Sequence, residues 1–212
     1  MPSAPAYKAV ILDVDGVVTP FTSAWQRLHA VFGVDAGLNR KLYKLGLIDY
    51  YEWALLDVLL WRGAPRRFVE ARFQTTRGLD TLCNTLKEAG VYAVAISAGV
   101  GYTRAVSHCF HFYVVNDLIY KDGEVATVAV SVSDRNKAEI AEAILDLLGL
   151  RWEEAVAVGD GEADLPMFKK AGYSIAFNPV NEEVARAAKA VIRAETLYPL
   201  AKFLKALLDT AR

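Results

Sequence analysis

Short apolar runs, each closed by a polar residue, recur along the chain. Ala9 to Leu12 end at Asp13, Val91-Tyr-Ala-Val-Ala-Ile ends at Ser97, Phe112-Tyr-Val-Val ends at Asn116, and Ala155-Val-Ala-Val-Gly ends at Asp160. Runs this short and this rich in Val and Ile predict strands buried on both faces, as in a parallel sheet, because a half-exposed strand would alternate apolar with polar residues. Helical spacing fills the intervals. Leu79, Leu82 and Leu86 precede Gly90, and Ile140, Ile144, Leu147 and Leu148 precede Gly149, with glycine as the stop signal in both. Alternating strand and helix patterns predict an α/β fold with right-handed crossovers.

Two stretches depart from the alternation. From about Phe21 to Thr76 the pattern is helical throughout, opening with Ser23 three residues before Gln26 as a capping box. Trp25, Leu28 and Phe32 fall on one face, and Trp53 and Trp61 follow in the same stretch. This predicts a small helical domain over residues 21–76, inserted into a core domain made of residues 1–20 and 77–212. Leu118 to Val132 reads as a hairpin, with Lys121-Asp-Gly-Glu as its turn.

Composition narrows the function class. Lys and Arg number 24 against 25 Asp and Glu, so net charge gives no reason to expect a nucleic-acid or anionic-membrane partner, and a small anionic substrate would need local attraction. Cys83 and Cys109 are too few for a disulfide framework and lack metal-site spacing; two buried free thiols are expected. With no signal-like start and no run long enough to span a bilayer, the expected location is the cytoplasm.

The candidate chemistry sits at the ends of the predicted strands. Asp13 and Asp15 stand at i and i+2 past the first apolar run, so both can point to one side, and ligands bind beyond the carboxyl ends of strands in open α/β sheets. Gly159-Asp-Gly-Glu-Ala-Asp164 follows a later run in the same way. Were these strands neighbours, four carboxylates would converge. Two like charges roughly 4 Å apart repel by about 4 kcal/mol at an effective dielectric near ~20, so such a cluster calls for a hard divalent cation, with Mg²⁺ the natural choice. Ser97-Ala98-Gly99 offers a hydroxyl and backbone N–H groups to an oxyanion, and Lys137 opens a helix where its charge would serve the same site. Carboxylate, hydroxyl, cation and metal together suit phosphoryl transfer.

In this order the motifs resemble those of the haloacid dehalogenase superfamily: Asp13-Val-Asp-Gly-Val-Val-Thr19 is similar to its first motif, Ser97 to the second, Lys137 to the third, and Gly159 through Asp164 to the fourth. The helical insert, Ser97-Ala-Gly99 and the Lys121-Asp-Gly123 hairpin most resemble the phosphoserine phosphatase-like branch. The resemblance implies a Rossmann-like parallel sheet with a helical cap whose closure excludes water. It also implies hydrolysis of a phosphomonoester, with Asp13 attacking phosphorus to form an aspartyl-phosphate and Asp15 as general acid and base. Asp13, the backbone carbonyl of Asp15 and Asp160 would hold Mg²⁺, Ser97, Ala98, Gly99 and Lys137 would grip the phosphate, and Asp164 would support Lys137 or the metal's water shell.

The cap departs from the branch. By ungapped counting from the first motif, its substrate-binding glutamate corresponds to Thr22 and its arginine to Asp57, and an aspartate repels a carboxylate; Ala163 stands where asparagine is usual. Phosphoserine is therefore an unfavourable substrate unless Arg62, Arg66 or Arg67 compensates, and Trp25, Thr22, Asp57 and Arg62 are the candidate substrate contacts. Otherwise the cap aromatics, including Tyr43, Tyr50 and Tyr51, read as packing, and His29, His108 and His111 as structural. Glu162 fits the metal shell or solvent equally. The expected partner is a small phosphorylated metabolite, with the chain a monomer or homodimer. Alternatives are a phosphotransferase or mutase that passes the phosphoryl group to a second hydroxyl, a receiver-like signalling domain, which is shorter and lacks the insert, and an inactive binding protein on the same fold.

Overall fold

The computed structural model describes residues 7–100 and 104–210. The chain begins with β1 (Ala9–Leu12), then an irregular turn over Val14–Val18, then four helices: α1 (Ala24–Phe32), α2 (Gly37–Lys44), α3 (Tyr50–Leu59) and α4 (Arg66–Glu70). Next come α5 (Leu79–Ala89), β2 (Tyr92–Val100), β3 (Phe112–Lys121) and β4 (Glu124–Ala129). The remainder is α6 (Lys137–Leu147), β5 (Ala155–Gly159), α7 (Leu165–Lys170), β6 (Tyr173–Phe177), α8 (Glu182–Ala187), β7 (Ala190–Ile192) and α9 (Tyr198–Thr210).

The strands form one sheet in the order β4-β3-β2-β1-β5-β6-β7, parallel except for the β3–β4 pair. The doubly covered sheet explains the apolar runs. On β1, Val10 and Leu12 face a cluster that includes Leu82 and Leu86 of α5 and Leu200 and Leu204 of α9, while Ala9 and Ile11 face Ala141 and Leu145 of α6 and Met167 of α7. Alternate residues serve opposite cores, so neither parity can be polar.

The hairpin forms where Lys121-Asp-Gly-Glu predicts it. Asp122 and Gly123 both take positive φ, 53° and 81°, the backbone that a two-residue hairpin turn demands. Helices α1 to α4 all lie within residues 21–76, a stretch without a strand, and Pro65 makes one isolated bridge to Glu124. Their apolar faces do not close on themselves alone. Leu28, Ala54, Val58, Trp61 and Val69 share a cluster with Val100 of β2, Leu118 of β3 and Val125 and Val128 of β4. The hairpin is thus part of the floor on which the inserted helices pack.

The cysteines correct the expectation of free thiols: Cys83 and Cys109 form a disulfide, with Cα atoms 5.3 Å apart. Cys83 lies on α5, which packs under the sheet beside the connection from β2 to β3 that carries Cys109. Two cysteines 26 residues apart carry no pairing signal of their own; only the crossover brings them together.

Candidate active site

The carboxyl ends of β1, β2 and β5, adjacent in the sheet, bring the candidate residues to one edge. Past Leu12 the chain turns sharply: Asp15 is extended (φ −66°, ψ 134°), Gly16 is left-handed (φ 74°), and the Thr19 N–H closes the turn on the Val14 carbonyl at 2.9 Å. The Thr19 hydroxyl also donates to the Val14 and Phe21 carbonyls. The turn sends Asp13 and Asp15 to different partners. One Asp13 oxygen accepts the Val14 N–H at 2.6 Å and the other takes the Lys137 ammonium at 2.6 Å, whereas Asp15 accepts the Ala24 N–H at 2.6 Å, at the start of α1.

Lys137 sits in the first turn of α6, where the helix dipole disfavours a cation. Two carboxylates offset that cost: besides Asp13, Asp164 accepts from the Lys137 Nζ at 2.9 Å. The second Asp164 oxygen accepts the N–H groups of Asp160 and Gly161, both at 3.1 Å. Asp164 is therefore fully engaged in holding Lys137 and the turn that carries Asp160. Glu162 points away, exposed and accepting from Asn181 at 3.0 Å.

Burial and mutual repulsion dominate the electrostatics. Burial first, then the Asp13 charge, pushes Asp15 up to about 7, although the Ala24 N–H pulls the other way. Burial, then Asp13 and Asp164, raises Asp160 to about 8. Asp13 is raised to about 6 by burial, with Lys137 opposing and Asp164 adding to the rise. For Lys137 burial disfavours the ammonium, but the Asp13 and Asp164 charges outweigh it and hold the group well above an ordinary lysine.

The donor set fits a hard divalent ion. Carboxylate oxygens of Asp13, Asp160 and Asp164 lie within 4.8 Å of one another. Asp164 has both oxygens committed, whereas Asp160 Oδ2 is buried with no hydrogen-bond partner, the kind of orphan acceptor that a cation satisfies. Gly16 makes room for it: a Cβ there would overlap the Asp160 carboxylate.

Gly99 plays the matching part on β2, where a Cβ would collide with the Asp15 carboxylate. Its N–H lies 3.2 Å from the Ser97 Oγ, and the Ser97 side chain is buried. The carbonyl of Ala98, between them, accepts from Trp25 Nε1 (2.9 Å), Tyr50 Oη (2.8 Å) and Asn116 Nδ2 (3.0 Å). Sequence reasoning missed Tyr50 and Asn116 as parts of the site. Asn116 did carry a signal, since it closes its apolar run as Asp13, Ser97 and Asp160 close theirs; Tyr50 carried none beyond its place in an aromatic segment. Fully buried, Asn116 also accepts from the Ser131 and Val132 N–H groups and donates to the Val132 carbonyl, pinning the chain that leads to Lys137.

Of the candidate cap contacts, Trp25 touches the Ser97–Gly99 turn directly, and Thr22 is exposed two residues before Ala24. Arg62 is exposed beyond α3, next to Gly63, whose N–H pairs with Val125 of the hairpin, and Arg66 pairs with Glu70 and lies over the Tyr120 ring. Asp57 is buried, accepting from His29 Nε2 (3.0 Å) and Asn39 Nδ2 (2.9 Å). The Trp61 indole N–H points at His29 Nδ1 at 3.3 Å, so the His29 ring bridges Trp61 and Asp57. Both Asp57 oxygens are thus hydrogen-bonded, and the residue lines a cavity of about 440 Å³ with Trp25, Trp53 and Arg40.

Comparison with known proteins identifies the family and supports the fold. The profile of the haloacid dehalogenase-like hydrolases matches residues 7–172. A phosphoserine phosphatase of Methanocaldococcus jannaschii is 34% identical over 71% of this chain and 79% of its own length. One from Archaeoglobus fulgidus is 32% identical over 81% of this chain, which spans only 54% of that longer protein. A solved structure of a phospho-aspartyl intermediate analogue of phosphoserine phosphatase superposes with a TM-score of 0.76 at 26% identity, over 93% of this chain and 98% of that one. No helix among the described residues is long and apolar enough to cross a membrane. With its motifs in order on a mostly parallel α/β sheet, the chain belongs to the haloacid dehalogenase-like hydrolases, as an enzyme similar to their phosphoserine phosphatases.

Proposed function

We propose that the protein hydrolyses a small phosphomonoester in two steps, with Asp13 as nucleophile and Asp15 as general acid and base. The observation that carries this reading is the pairing of Asp13 with a buried Lys137 beside a carboxylate raised to about 7. Lys137 orients Asp13 and offers charge to phosphoryl oxygens; Asp15, protonated near neutral pH, gives its proton to the leaving alcohol and takes one back from the hydrolytic water. Ser97 and the N–H groups of Ala98 and Gly99 receive the remaining oxygens. Asp13, the Asp15 carbonyl and Asp160 would hold Mg²⁺, which when bound neutralises charge on the phosphoryl group. Asp164 positions Lys137 and Asp160.

Residues 21–76 serve as the cap that reads the leaving group, over the core of residues 1–20 and 77–212. The names of the relatives make phosphoserine the first ester to try. Asp57, an aspartate lining the cap cavity, argues against a good fit, since an acidic side chain there disfavours a carboxylate and favours a cationic group. The enzyme therefore prefers an ester whose leaving alcohol bears an amine without a carboxylate, in the cytoplasm as the expected setting.

Phosphate release from a panel including phosphoserine, phosphoethanolamine and phosphoglycolate, with Mg²⁺ and with chelator, tests this. Mg²⁺-dependent turnover abolished by Asp13→Asn is the expected result. Turnover that survives in Asp13→Asn would exclude Asp13 as nucleophile, and equal rates on phosphoglycolate and phosphoethanolamine would exclude Asp57 as the selector.

A further inference from the structure

Three neutral donors meet at one backbone carbonyl. Trp25 Nε1 on α1, Tyr50 Oη on α3 and Asn116 Nδ2 on β3 lie 2.9, 2.8 and 3.0 Å from the oxygen of Ala98. A carbonyl oxygen has two lone pairs, so three donors more than saturate it. Two come from the inserted helices and one from the sheet, so this oxygen is where both parts of the molecule grip the Ser97–Gly99 turn.

The peptide plane gives that grip a consequence. The Ala98 oxygen and the Gly99 N–H belong to one trans peptide, since the described chain has no cis bonds, and in a rigid trans plane they point in opposite directions. Fixing the oxygen toward Trp25 and Tyr50 fixes the Gly99 N–H away from them, where it now meets Ser97 Oγ. Donors on the oxygen also polarise the amide, strengthening its N–H as a donor. Burial holds the Tyr50 phenol well above its usual range, so it remains protonated and able to donate.

We propose that Trp25 and Tyr50 are positioning residues that orient and polarise the Gly99 amide through the Ala98 carbonyl, coupling the seating of the cap helices to phosphate binding. This rests on the phosphate-binding role of the turn proposed above. The coupling is reciprocal: whatever tightens phosphate on the Gly99 N–H also strengthens the hydrogen bonds that seat Trp25 and Tyr50, and the reverse. Neither residue touches the reacting atoms.

The test compares Tyr50→Phe, Trp25→Phe and Tyr51→Phe, the last altering a half-exposed ring as control. Inorganic phosphate binding in Mg²⁺ is measured by calorimetry, and the Gly99 amide is followed by ¹⁵N–¹H NMR. Losing one neutral hydrogen bond predicts phosphate binding weaker by about threefold to tenfold in Tyr50→Phe and Trp25→Phe, with none in Tyr51→Phe. The Gly99 amide resonance should shift upfield in the first two without a general change in the spectrum. Wild-type phosphate affinity with an unmoved Gly99 resonance in Tyr50→Phe would overturn the proposal. Should the wild type bind no phosphate, the proposed function fails instead, and the Gly99 resonance still decides whether the Ala98 carbonyl transmits the change.

Discussion

The Lys137 ammonium lies 2.6 Å from Asp13 Oδ2 in a site closed to solvent on both sides of the pair. The same ammonium holds Asp164 at 2.9 Å. Lys137→Met would leave two buried carboxylates facing each other without a cation. Breaking a buried pair by removing one partner costs about 3 to 5 kcal/mol, so urea denaturation should show a loss of that order. Activity should fall about 100-fold or more, as when an oxyanion donor is deleted. A fully stable but inactive variant would mean that Lys137 acts only in the chemistry.

Metal removal should act through the carboxylates. In metal-free protein the folded-state values of about 7 for Asp15 and about 8 for Asp160 lie above the unfolded value of ~3.9. Between these limits the folded state binds more protons than the unfolded one. The stability involved is present below pH ~4 and is lost as pH rises through about 8. Thermal melts in chelator should therefore fall across that window, and Mg²⁺ should restore the loss. Asp160→Asn should melt no lower than the wild type in chelator yet gain little from Mg²⁺; a full Mg²⁺ response there would remove Asp160 from the ligand set.

The Cys83–Cys109 bridge closes a loop spanning 26 residues. By chain-entropy reasoning a bridge of that span contributes about 3 to 4 kcal/mol, mainly by restricting the unfolded chain. Cys83→Ser, or the wild type in excess reductant, should unfold at correspondingly lower denaturant. An unchanged midpoint would mean that the bridge does not form in the purified protein.

Gly99 lies against Asp15 with no space for a side chain. Gly99→Ala should displace the Asp15 carboxylate or the turn, and a displacement near 1 Å costs about 100-fold in rate. Because the clash is local, the melting temperature should change far less than the rate. An active Gly99→Ala enzyme would show that Asp15 has another productive position.

Much of this was legible in the chain. Strands buried on both faces must be apolar at every position, so the runs ending at Asp13, Ser97, Asn116 and Asp160 announced a covered parallel sheet and put the polar residues at its carboxyl edge. The Asp122-Gly123 turn was legible because only a few residues accept positive φ. These signals are local: periodicity, turn chemistry and strand ends are set by residues near one another in sequence.

What tertiary structure alone decided depends on contacts between distant segments. Which oxygen of Asp164 holds Lys137, 27 residues away, and that Asp160 Oδ2 is left unpartnered, follow from the meeting of α6 with the turn after β5. The convergence of Trp25, Tyr50 and Asn116 on Ala98 brings donors to one carbonyl from as far as 73 positions away, and nothing in the spacing of the three residues announces a shared partner. That Asp57 accepts from both His29 and Asn39 likewise depends on residues 28 and 18 positions away in the chain. The cysteines follow the same logic, because pairing is a matter of distance in the folded crossover and leaves no trace in spacing. The sequence by itself determined the sheet, its edge and the residue types gathered there; the packing of distant segments determined their partners, because hydrogen-bond geometry is satisfied in space and not along the chain.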